Sequence, residues 1–204
     1  MRILVADCNH WVGYNIVNSL LENDYEVDGI SLPSEDDLSM FFGRNSLFSL
    51  IAAEEYKEYE LGIIAGAYHH PIQQRVEKLM MINPDEKTVQ SANHPNCTVI
   101  STPLLYGEWM PMNEKGLFQK DEFISFTADY FKENAIYVRD LTEGLLQWIK
   151  GPSLPDFLQV YSSNNKRSLG TKLDKTVYLR ENIPNSDIIK EIVEHYRLNR
   201  NRDS

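Results

Sequence analysis

An apolar run, a helical stripe and a second apolar run follow one another within about the first 30 residues, and few architectures accommodate that order. Ile3-Leu4-Val5-Ala6 is continuous and partly β-branched, the pattern of a strand buried on both faces of a parallel sheet. Val12, Ile16, Val17, Leu20 and Leu21 then recur at helical spacing, closed by the polar Glu22-Asn23-Asp24. Tyr25-Glu26-Val27-Asp28-Gly29-Ile30 reads as the next strand. A strand–helix–strand unit of this size closes as a right-handed crossover between parallel neighbours, which predicts that Ile3 to Ala6 is an interior strand.

Later segments extend the same alternation. Ser34-Glu35-Asp36-Asp37-Leu38 reads as a helix start leading into Met40-Phe41-Phe42, and its carboxylates are read as compensating the helix dipole rather than as a metal site. The charged run Glu54 to Glu60 is expected to be a solvated helix or connection, and Leu61 to Ala67 a buried strand ending in small residues. Ile72, Val76, Leu79 and Met80 are spaced as one face of a helix started by Pro71. Thr98 to Ser101, Leu158 to Tyr161 and Thr176 to Leu179 are strand candidates. Leu141, Leu145, Leu146 and Ile149 mark a helix capped by Asp140 or Thr142, and Ser186 opens a last amphipathic helix.

Composition excludes several roles. At 42% hydrophobic and 25% charged residues the chain has enough apolar content for a core, and wholesale disorder is excluded. A net charge of −10 disfavours nucleic acid and anionic membranes, because both are held by Lys and Arg. Arg197, Arg200 and Arg202 are read as a solvated helix end. Two cysteines, Cys8 and Cys97, make no disulfide framework, and Met1 to Val5 runs into a strand rather than a leader, which points to a reducing, cytoplasmic setting. No apolar run approaches the roughly 18 residues of a membrane span.

The order of elements resembles that of the extended short-chain dehydrogenase/reductases, the NAD-dependent epimerase/dehydratase family. Val5-Ala6-Asp7-Cys8-Asn9-His10-Trp11-Val12-Gly13 is similar to the family's strand and Gly-x-x-Gly-x-x-Gly turn, and Val27-Asp28-Gly29-Ile30 to its second strand. Ile63-Ile64-Ala65-Gly66-Ala67 resembles the fourth strand. Val99 to Gly107 resembles the Arg-Pro-x-x-x-Tyr-Gly segment, with Thr102 in place of Arg. Ala135 to Leu141 and Gln159 to Asn165 resemble the helix start and strand that follow. The resemblance implies an α/β, Rossmann-like, doubly wound and predominantly parallel sheet with helices on both faces. It also implies a core over residues 1–134 and a small C-terminal substrate-domain remnant over 135–204.

It further implies a cofactor cleft whose positional equivalents are Asp7, Cys8, Asn9, His10, Trp11, Val12, Gly13, Ser31 and Ala65. Of the three fingerprint glycines only Gly13 survives. Asp7 places a carboxylate near the pyrophosphate position and His10 a ring where backbone must approach. Ser31 replaces the acidic residue that would hold an adenosine ribose, and Asp28 lies three places too early for it. None of the 11 tyrosines has Lys four residues on, Tyr196 with Arg200 being nearest, and the stretch from Ala67 to Thr98 is too short for the strand and two long helices that carry the family's Tyr-Lys pair.

Other constellations receive plain structural readings: His69-His70 as loop residues, Cys8 with His10 as a small half-buried thiol beside a ring, and Tyr106, Trp109 and Met110 as aromatic packing. The expected protein is a degenerate, non-catalytic binding or regulatory module. It has no catalytic residues, no metal and no cofactor, and pairs with another protein or with itself through the face Ile72, Val76, Leu79 and Met80. The alternative is an NAD or NADP-dependent epimerase, dehydratase or reductase acting on nucleotide sugars with an atypical site.

Overall fold

The computed structural model describes residues 1–33, 38–151, 154–163, 176–179 and 186–200. They divide into two compact units, one of residues 1–101 with 145–159 and one of 102–144 with 160–204. The chain thus crosses between units three times, a different division from a single cut at residue 134.

In the first unit, β1 (Arg2–Ala6), α1 (Trp11–Glu22) and β2 (Glu26–Ile30) form the expected crossover. A 3-10 turn (Leu38–Phe42) leads to β3 (Phe48–Leu50), followed by β4 (Glu58–Ala65), β5 (Arg75–Ile82), α2 (Glu86–Ala92) and β6 (Cys97–Ser101). The sheet of this unit runs β3-β2-β1-β4-β5-β6, with residues 157–159 of β12 (Phe157–Ser162) paired beyond β6; β13 (Thr176–Leu179) belongs to the second unit. Every pairing from β3 to β12 is parallel. β1 lies between β2 and β4, with Ile3 opposite Val27 on one side and Leu61 on the other, and its Ile3, Leu4, Val5 and Ala6 are fully buried. A predominantly parallel, Rossmann-like sheet with helices is therefore the architecture of this chain.

Alternation along the strands puts Leu4, Ala6, Ile64, Leu79 and Met81 in one cluster with Ile51, Tyr59 and Tyr68. Among the described residues, the one helical contribution to that cluster is Ala92 of α2, so loops and not long helices cover this face. α1 packs against β1, β2 and β4 and takes no part in it. A buried polar pin ties β2 to β4: the hydroxyl of Tyr59 donates to Asp28 Oδ2 at 2.9 Å and Lys57 Nζ lies 3.2 Å from the same oxygen.

Several expectations need correction. Ile72, Val76, Leu79 and Met80 do not lie on a helix: Val76 to Met80 belong to β5, paired with β4 and β6. A strand buried on both faces needs apolar residues at every position, and Leu79-Met80-Met81-Ile82 satisfies that by running continuously. The helical spacing was coincidental, and because Val76, Leu79 and Met80 are all buried they offer no exposed face for self-association. The charged run Glu54 to Glu60 is no helix, its last residues opening β4. Residues 34–37, where a helix start is expected, lie outside the described residues, and the segment after them is the 3-10 turn. Between Ala67 and Thr98 the chain holds a strand and one seven-residue helix, with no second long helix.

In the second unit, β7 (Leu104–Tyr106) pairs in parallel with β11 (Ala135–Tyr137), and β8 (Met112–Asn113), β9 (Gly116–Gln119) and β10 (Glu122–Ser125) form an antiparallel sheet. The β9–β10 turn holds Lys120 and Asp121 at φ 48° and 67°, the left-handed pair a tight two-residue hairpin requires. α3 (Asp129–Asn134) buries Phe131 edge-on against Tyr106 and Phe126. α4 (Val138–Lys150) begins before Asp140 and Thr142, so neither caps it; Thr142 Oγ1 instead donates to the Arg139 carbonyl within the first turn. α5 (Ser186–Arg200) is the expected final helix, and its Arg197 pairs with Glu114 at 2.7 Å; Arg202 lies outside the described residues.

Candidate functional site

In doubly wound sheets, ligands bind beyond the carboxyl ends of the strands where the strand order reverses, here between β1 and β4. The chain leaves β1 through Asp7, whose φ of 61° is a left-handed conformation that Asp tolerates and glycine adopts freely. The Cys8 N–H donates to the Ile30 carbonyl at 3.0 Å and the His10 N–H to the Asp7 carbonyl at 3.2 Å, closing the turn. His10 is the N-cap of α1; its carbonyl accepts from Tyr14 N at 2.8 Å, and its Nδ1 is 3.4 Å from Val12 N, a weak cap. Gly13 is required by close approach, because a Cβ there would stand 2.1 Å from the Asp7 carbonyl oxygen.

Asn9 fixes the turn to the segment after β2. Its Nδ2 donates to the Leu32 carbonyl at 2.6 Å and its Oδ1 accepts from Leu32 N at 3.0 Å. Ser31, beside Leu32, is half-buried. The Cys8 side chain is fully buried, with Sγ 2.7 Å from where a Cβ on Gly29 would lie, so it is packing at the β2 interface rather than an exposed thiol. Val12 is core and Trp11 half-buried, its ring 5.9 Å from that of His10. Ala65 ends β4, followed by Gly66 at φ 75°; a Cβ on Gly66 would come within 3.8 Å of His10 Cε1, which places the imidazole over the end of β4.

The turn is thus closed by its own backbone bonds and by the close approach at Gly13. Asp7 is 9% exposed, and among the described residues its carboxylate has neither hydrogen bond nor ion pair; burial pushes it up to about 6. Burial lowers the His10 imidazole, so that ring is neutral. Beside the N-terminus of α1 the turn thus carries a carboxyl group and an imidazole.

One residue that sequence reasoning passed over joins this end of the sheet. Tyr68, on the loop after β4, is 1% exposed and its hydroxyl has no hydrogen-bond partner. Burial raises the phenol, and the charges of Asp7 and Glu54 raise it further. The signal available was a lone tyrosine directly after the small residues Ala65-Gly66-Ala67. The adjacent His69 and His70 do diverge: His70 packs edge-on to Tyr68, while His69 Nε2 lies 2.6 Å from Asp85 Oδ2. Asp85 also accepts from the Thr88 N–H and hydroxyl, and these bonds with His69 hold it far below the usual carboxylate range. Among the described residues no group of three or more His, Cys, Asp or Glu side chains is arranged to hold a metal ion. Nor is any helix there long and apolar enough to cross a membrane.

The second unit has its own polar cluster. Glu108 Oε1 accepts from the Tyr137 hydroxyl at 2.9 Å and Arg139 Nη2 at 2.7 Å, while Trp109 meets His195 edge-on at 4.5 Å. Tyr106 is fully buried between Phe131 and Tyr137, and the Met110 sulfur accepts from Gly107 N, so Tyr106 and Met110 are packing residues as expected. This cluster draws on β7, β11, α4 and α5, and nothing in the local sequence brings those segments together.

No protein-family model matches the chain and no curated protein matches it. Its fold does have solved counterparts. The dTDP-glucose 4,6-dehydratase of Bacillus anthracis, in complex with NAD, superposes with a TM-score of 0.58 at 10% identity over 98% of this chain and 97% of that one. An NAD-dependent NDP-hexosamine 5,6-dehydratase of tunicamycin biosynthesis gives 0.57 at 10% identity, over 97% and 98%. A yeast methylglyoxal/isovaleraldehyde reductase complexed with NADPH gives 0.55 at 12% identity, over 97% and 99%. These are structures of the extended short-chain dehydrogenase/reductase and epimerase/dehydratase type, and this chain has their fold.

Proposed function

We propose that this chain is a degenerate epimerase/dehydratase-like protein that uses the Rossmann-type fold as a non-catalytic binding or regulatory module, without NAD or NADP. The observation that supports this most is Asp7. An unpaired carboxylate occupies the turn where such folds approach an anionic pyrophosphate, and with its carboxyl at about 6 the penalty of that charge at pH 7.5 is capped at about 2 kcal/mol, the cost of protonating it. His10 adds an imidazole over the end of β4, beside Gly66. No tyrosine is followed four residues later by lysine, and the one short helix between β5 and β6 leaves no long helix to carry such a pair. A protein partner or a second copy of the chain is the proposed ligand at the level of the whole molecule.

The NAD(P)-dependent alternative has one observation in its favour. The β1–α1 turn keeps the left-handed residue at Asp7 and the close approach at Gly13 that a cofactor loop needs. A thermal-shift screen against NAD(H), NADP(H) and nucleotide sugars separates the two. A ligand present at about a hundred times its Kd stabilises by about 2.7 kcal/mol, which melts several degrees higher, whereas the non-catalytic proposal expects no shift with any dinucleotide.

A further inference from the structure

At the other end of the strands from the β1–α1 turn, a cavity of about 560 Å³ opens over the amino-terminal halves of β4, β5 and β6, and every residue lining it belongs to the first unit. That volume suits a small organic molecule. Its apolar lining comes from Leu61 and Met80, buried on β4 and β5, and from Trp148 and Leu154, half-buried at and just beyond the end of α4. The segment carrying Asn96 is fixed to β5, since Asn96 Nδ2 donates to the Glu77 carbonyl at 3.2 Å and the Asn96 carbonyl accepts from Leu79 N at 2.9 Å. Several polar groups here lack partners. Thr98 lines the cavity and is only 8% exposed, yet its hydroxyl, which is not sealed from solvent, has no hydrogen-bond partner among the described residues. Glu60, Glu77, Asp156 and Lys78 stand at the exposed margin, and none of them is ion-paired with another or with any described residue. Burial and the charge of Asp156 push the Cys97 thiol at this cavity up to about 11, so it adds no charge near neutral pH.

We infer that this cavity binds a zwitterionic α-amino acid with a large apolar side chain, its ammonium held by the marginal carboxylates and its carboxylate by Lys78. Side-chain charges of both signs surround one cavity without pairing, so a ligand of a single sign meets a like charge there, while a ligand carrying both finds a partner for each. The Thr98 hydroxyl donates and accepts, and can bond either end of such a ligand. Leu61, Met80, Trp148 and Leu154 offer the ligand side chain an apolar surface, and Trp148 has no ring partner among the described residues. The site is separate from the β1–α1 turn, so this inference goes beyond the non-catalytic proposal and does not rest on it.

The test is calorimetric titration of the full chain with L-phenylalanine at neutral pH and fixed ionic strength, beside three probes that each lack one feature. Phenethylammonium lacks the carboxylate, phenylpropionate the ammonium, and L-alanine the large side chain. L-phenylalanine is expected to bind saturably, at least about threefold tighter than either singly charged probe and at least about tenfold tighter than L-alanine. Lys78→Met is expected to weaken L-phenylalanine at least about threefold while leaving phenethylammonium unchanged or tighter. The variant should melt within about 2 °C of wild type, because Lys78 has no ion pair to lose in the free protein. Thr98→Val removes a hydroxyl that bonds nothing there, so it is expected to weaken L-phenylalanine without lowering the melting temperature. No saturable binding of L-phenylalanine below about 10 mM would overturn the inference. Equal affinity for L-phenylalanine and phenethylammonium would overturn it too, as attraction to the carboxylates alone, and so would equal weakening of both by Lys78→Met.

Discussion

Replacing Asp7 by Asn should make the protein's stability depend less on pH, by an amount the structure fixes. The folded-state carboxyl is raised by burial from 3.8 to about 6. A group raised in this direction contributes stability that is fully present below its unfolded value and is lost as pH rises through its folded one. The wild type should therefore lose about 3 kcal/mol between pH 3.8 and pH 7 through this residue alone, at about 1.4 kcal/mol per pKa unit. The carboxylate oxygens keep some contact with solvent, so that figure is an upper value. Asn does not titrate and holds the φ of 61° equally well, but its unbonded amide costs about 1 kcal/mol at every pH. Asp7→Asn should then be slightly less stable than wild type near pH 4 and more stable by about 2 kcal/mol at pH 7.5. Asp140, also pushed up to about 6 by burial, is common to both proteins and cancels. Thermal melts of the pair across this range should show the difference in melting temperature changing by about 6–12 °C, taking 2–4 °C per kcal/mol for a chain of this size. A constant difference across the range would refute the claim that the Asp7 carboxylate is buried without a partner.

Gly13→Ala should cost about 3 kcal/mol or more, because its Cβ meets the Asp7 backbone carbonyl at 2.1 Å and neither element can yield cheaply; chemical denaturation measures it directly. Tyr59→Phe should destabilise by about 1–3 kcal/mol through loss of its bond to buried Asp28, read as a lower denaturation midpoint with unchanged slope.

What the sequence made legible follows from local physics. The first crossover was readable because Ile3 to Ala6 and Val12 to Leu21 carry two different periods side by side. β5 was not, because a strand buried on both faces has no alternation to betray it and Val76, Leu79 and Met80 happen to fall at helical intervals. The antiparallel β8, β9 and β10 are two to four residues long, below the length at which a period can be seen. At the cleft, Asp7, His10 and Gly13 were visible as a disturbed glycine spacing. Tyr68 was not, since its burial with Leu4, Ala6 and Ile64 depends on where the loop after β4 packs. The Glu108, Arg139 and His195 cluster joins residues far apart in the chain and has no local signal at all.

The most direct test of the central claim is to titrate the unmodified protein with NADH at pH 7.5 and follow cofactor fluorescence, alongside a variant carrying Asp7→Gly and His10→Gly. No saturable binding to the unmodified protein is expected, and a gain of up to about thirtyfold in the variant through the carboxylate, the equivalent of the roughly 2 kcal/mol needed to protonate a carboxyl of pKa about 6 at pH 7.5. Micromolar NADH affinity in the unmodified protein would contradict it and make the dinucleotide-dependent enzyme the better description of this fold.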